Sequence, residues 1–101
     1  MATKVNFKGH KFVLKVGANE DPNKTGIKIQ FIPTNVDGMT PNERNDVAIA
    51  LEQKLESGLS RFELRVERDR DLKDKTVIGF FIYIEFIDNI IRQALTSQEQ
   101  A

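Results

Sequence analysis

The chain has one imidazole, His10, beside Gly9 in a short break between lysines, and no cysteine. Nucleophilic catalysis of the triad kind needs a base next to a hydroxyl or thiol, and a carboxylate to orient that base. Nothing near His10 in sequence offers the carboxylate, so a solvated histidine at a strand end is the reading it supports. Without cysteine there is no thiolate zinc site, iron–sulfur cluster or disulfide framework. Paired carboxylates can meet in space from anywhere in a chain, but nearly all fifteen acids here lie in charged loops or on polar faces, where hydration suffices. Asp21-Pro22-Asn23-Lys24-Thr25-Gly26 imitates the opening of a calcium loop, yet its twelfth position, where a bidentate Glu should close the sphere, is Ile32. A turn held by Asp and Asn side chains fits better. No glycine-rich phosphate loop opens a helix after a strand. The sequence therefore predicts no catalytic residue, no metal and no cofactor, and the expected class is a non-enzymatic interaction or regulatory protein.

Charge narrows the partners. Fifteen Lys and Arg balance fifteen Asp and Glu, so no global field draws the protein to nucleic acid or an anionic membrane. Locally, Lys4, Lys8, Lys11 and Lys15 fall within residues 1–17 with no acid among them. Residues 61–75 mix six basic and five acidic side chains, whose fields cancel beyond about 8 Å at physiological salt. The 101 residues, 40% hydrophobic, suit one domain. The start carries no signal-like apolar run and no segment is long enough to span a membrane, so a soluble, unprocessed cytoplasmic chain is expected.

Periodicity supplies the elements. Phe12, Leu14 and Val16 alternate with Lys11, Val13 and Lys15 in a first strand over 11–16, preceded at 3–7 by a weaker alternation that reads as a strand extension or an arm. Turn formers from Gly17 to Gly26 lead into a second strand over 27–32, which Pro33 ends. Thr40-Pro41-Asn42-Glu43 is a capping box that opens a helix over 41–57, with a stripe of Val47, Ala50, Leu51, Leu55 and Leu59 and a left-handed cap at Gly58. A third strand is expected over 61–67, with Phe62, Leu64 and Val66 inward. A fourth, over 76–86, is apolar on both faces and should be central. A second helix over 87–95 carries Ile87, Ile90, Ile91, Ala94 and Leu95 on one side, before a polar tail at 96–101 that should fray. The fold predicted is a two-layer α+β domain of order β-β-α-β-β-α, its four-stranded, mainly antiparallel sheet bearing both helices on one face.

That arrangement leaves Val13, Phe81 and Tyr83 on the opposite face, amid Lys11, Lys15, Lys28, Arg61 and Arg65. Exposed aromatics on a sheet call for a cover. The expected cover is a second copy, in a homodimer centred on Phe81 and Tyr83, with Val13 and Val77 at its margin and Arg61, Arg65, Glu63 and Glu67 as a charged rim. Another protein is a variant of the same reading. Two other covers compete with it. Val5 and Phe7 of the N-terminal arm could fold over the aromatics, or single-stranded nucleic acid could stack there with Lys11, Lys15 and Lys28 as anion contacts, although Glu63, Glu67 and Glu85 offset three of the five cations.

Overall fold

The structure, a computed structural model, describes residues 3–20, 25–35, 38–84 and 90–96. It is an α+β fold built on an antiparallel sheet, with two helices. The sheet has five strands rather than four: β1 (Thr3–Phe7), β2 (His10–Ala18), β3 (Gly26–Pro33), β4 (Arg65–Asp69) and β5 (Ile78–Tyr83). The extra strand is the N-terminal segment. Gly9 does not interrupt it but completes a two-residue turn in which Lys8 (φ 51°) and Gly9 (φ 79°) are both left-handed, so Phe7 pairs with His10. Two such residues match the right-handed twist of the strands they join.

Strand order is β1-β2-β3-β5-β4. After β3 the chain crosses through helix α1 (Pro41–Leu59) to the far edge, and β5 then fills the slot between β3 and β4. The segment that is apolar on both sides is thus central, as its composition predicts. At one end of this slot a Cβ on Gly26 would collide with the Ile82 carbonyl oxygen, so only glycine lets β3 approach β5 there.

Thr40 caps α1 as expected, its Oγ1 accepting from the Glu43 amide at 3.2 Å. The Glu43 carboxylate accepts in turn from the Thr40 hydroxyl, also at 3.2 Å. The far end differs from expectation. The helix runs through Gly58 into a 3₁₀ turn, Ser60–Phe62, and the left-handed residue is Glu63 (φ 57°). Strand β4 consequently begins four residues later than the alternation from Arg61 implied. The Arg61 guanidinium lies 4.6 Å from the centre of the exposed Phe62 ring, a local cation–π contact that needs no sheet.

Helix α1 buries Val47, Ala48 and Leu51 against one sheet face, Ala48 taking the place expected of Ala50. Beneath it Phe12, Phe31 and Phe80 form a row of edge-to-face rings, with centroids 6.1 and 6.0 Å apart. Val5 and Phe7 pack against this core, so the N-terminal segment joins the helix-covered side and does not fold over Phe81 and Tyr83. The second helix, α2, is described over residues 90–96, every one of them exposed. Residues 85–89 and the tail from 97 lie outside the described residues, as does the calcium-like turn at 21–24.

Candidate interaction surfaces

The strand register decides which expected residues share a surface. On the face opposite α1, Lys28 and Glu67 flank Phe81, and Arg65 lies beside Tyr83. Lys4 is opposite Val13, Asn6 opposite Lys11, and Lys15 opposite Gln30. Val13, Phe81, Tyr83, Arg65, Glu67, Lys11, Lys15 and Lys28 therefore share one face, as the alternation implied. Arg61 and Glu63 do not join them, because both lie in the turn after α1. Val77 precedes β5 and lines a hollow at the start of α1 with Arg44, Arg70 and Asp74.

The aromatic pair is less open than its sequence suggests. Phe81 and Tyr83 stack with centroids 6.1 Å apart, but Tyr83 is only 4% exposed and Phe81 is half-buried. The charge balance shifts too. Lys4, brought in by β1, joins Lys11, Lys15 and Lys28, and among the described residues the acids of the strands on this face are Glu67 and Asp69, both on edge strand β4, Glu85 lying outside the described residues. Glu67 lies 3.7 Å from Arg65. Lys4 was visible in sequence, but its face could not be assigned until the Lys8–Gly9 turn fixed the register.

The open apolar surface lies elsewhere. On the α1 side, Val16 and Ile27 at the β2–β3 hairpin end are 57% and 38% exposed, and Ala18, opposite Ile27, is exposed as well. The helix crosses the other end of the sheet: its Arg44 guanidinium donates to the Lys75 carbonyl (2.8 Å), and its later turns line an apolar groove of about 370 Å³ with Val5, Phe7 and Phe31. A second open stripe runs along α2, where Ile90, Ile91 and Leu95 are 47–56% exposed. Residues 90, 91, 94 and 95 fall on one side of a helix. No described helix is long and apolar enough to cross a membrane.

His10 closes the first turn opposite Phe7. No group of three or more His, Asp or Glu side chains converges in metal-holding geometry among the described residues. In the β4–β5 loop, the Thr76 hydroxyl and amide both donate to the Asp74 carboxylate, and Arg44 adds a favourable charge; together they hold the Asp74 carboxyl below its ordinary range. Comparison with known proteins finds no matching family model, no similar curated protein and no similar solved structure.

Proposed function

We propose that the protein is a non-enzymatic interaction module that pairs with a second copy of itself, α2 of each copy lying over the Val16–Ala18–Ile27 corner of the other. The observation that carries this reading is the coexistence, in one chain, of two uncovered apolar surfaces of complementary kind: a helix stripe and a strip of sheet. Helix-on-sheet packing is the ordinary way to bury each of them. A two-fold axis makes every such contact twice, which favours exchange between copies over capture of an unrelated partner. The interface moves away from Phe81 and Tyr83, because a tyrosine already 4% exposed within its own chain has little surface left to contribute. The lack of cysteine suits a protein working in the reducing cytoplasm.

Sedimentation equilibrium tests the reading. The average mass should rise from 11.5 kDa towards twice that value between low micromolar and millimolar concentration. Leu95 is exposed in the single chain, so Leu95→Asp should keep the circular dichroism spectrum and stay at 11.5 kDa throughout. A wild-type chain that remains at that mass at millimolar concentration would contradict the proposal.

A further inference from the structure

On the sheet face opposite α1, the register sets four lysines in a ladder. Take β2 as the axis: Lys11 stands at its own position, Lys4 is level with Val13, Lys15 is at its own position, and Lys28 is level with Gly17. Each successive same-face position, 11, 13, 15 and 17, thus carries one cation, contributed in turn by β2, β1, β2 and β3. Same-face residues of an antiparallel strand are ~6.8 Å apart along it, and neighbouring strands ~4.8 Å apart, so the ladder rises ~6.8 Å per rung along β2 while each rung shifts by one strand, about 8 Å from one lysine backbone to the next. Lys4, Lys11 and Lys15 are exposed, Lys28 is half-buried, and no ion pair ties any of the four among the described residues.

An extended single-stranded nucleic acid advances by a similar rise along its axis, and the flexible lysine side chains span the sideways shift. Six backbone bonds separate successive phosphorus atoms, twice the three of a peptide residue, so a stretched strand advances about 6.6–7.2 Å per nucleotide. The top of the ladder adds a place for a base. Lys28 lies between Gly17 and Phe81 in one cross-strand row, and a Cβ at Gly17 would meet nothing within 4 Å. Lys15, Gly17, Lys28 and Gln30 line a shallow hollow there together with Ala18 and Glu20, and the half-buried Phe81 is the next residue of the row beyond Lys28, with Glu67 on its far side. Among the described residues, Glu20 is the one acid of that hollow.

We infer that this face binds single-stranded nucleic acid, four consecutive phosphates following Lys11, Lys4, Lys15 and Lys28 while a base near the Lys28 end stacks on Phe81. Nucleic acid fits better than the other polyanions. An acidic peptide would carry its charges on flexible side chains rather than on a backbone of fixed step, and a membrane surface would offer nothing for Phe81 to stack on. A duplex keeps its bases paired and out of reach of the ring. The inference does not depend on dimer formation, since Val16, Ile27 and α2 take no part in the ladder.

Fluorescence anisotropy with a 5′-labelled dodecamer of deoxythymidine tests it. Four phosphate contacts on a single strand predict a log–log salt slope of about −2.8, so affinity should fall about 50-fold between 50 and 200 mM salt. In Lys15→Gln/Lys28→Gln the slope should shrink to about −1.4 and the same change of salt should cost about sevenfold, with the thermal unfolding curve unaltered. Phe81→Leu, which keeps the apolar packing without the ring, should weaken binding about tenfold. Leu95→Asp should leave the slope as it is. Absence of binding at low salt, a slope unchanged in the double variant, or equally effective competition by polyglutamate or phosphatidylserine vesicles at matched charge would each overturn the inference.

Discussion

Two residues test the local chemistry of the fold. Asp74 is held by both the hydroxyl and the amide of Thr76, and its carboxyl is more acidic than in the unfolded chain, whose reference value is 3.8. Its folded value is depressed, so its contribution to stability is present above 3.8 and lost as pH falls through the folded value, below that point. A titration of the Thr76 amide resonance should accordingly stay flat through pH 5 and move only in the acid range. Asp74→Asn should abolish that movement. Gly26 is the second test. A methyl group there would run into the backbone of Ile82 and Tyr83, so Gly26→Ala should destabilise by about 1–3 kcal/mol through forced separation of β3 from β5. Denaturant unfolding measures the cost, and a variant as stable as the wild type would contradict the close approach.

Among the elements, β5 carries the most structural weight. It pairs on both sides, and its Phe80 is wholly buried at one end of the row of aromatic rings. Phe80→Ala should therefore cost about 3–5 kcal/mol in chemical unfolding, well above the effect of truncating an exposed side chain such as Phe62. The central place of β5 was legible in its composition, because only a strand flanked on both edges and covered on its inner face sustains such an apolar run. The start of α1 was equally legible, because Thr40, Pro41 and Glu43 act on the backbone within four residues and need no tertiary partner. Elements that depend on distant contacts were less so. Arg61 to Glu67 alternates well enough for a strand, yet α1 continues through Gly58 and the chain reverses at Glu63, an acidic residue in a left-handed conformation that sequence seldom signals. For the same reason the register of the Lys8–Gly9 turn was hidden: lysine is not a usual residue for a left-handed position, so β1 reads as either a strand extension or an arm.

At the scale of the whole molecule, the two sheet faces divide the work. One face holds α1 and the aromatic core but leaves its Val16–Ile27 corner bare, and the other carries a lysine ladder beside Phe81. The shared face of Phe81, Tyr83, Lys11, Lys15 and Lys28 could be read from alternation alone. The burial of Tyr83, the departure of Arg61 and Glu63 from that face, and the exposure of α2 could not, because each depends on how separate elements meet. A mixed-label sample tests whether α2 packs on the bare corner of a second copy. One population of chains carries ¹³C-labelled Ile and Leu methyl groups, the other is unlabelled, and isotope-filtered NOEs are collected at millimolar concentration. NOEs are expected from the methyl groups of Ile91 and Leu95 in labelled chains to the protons of Val16 and Ile27 in unlabelled ones. Filtered spectra without such contacts, from a sample that sediments at 11.5 kDa, would contradict that packing.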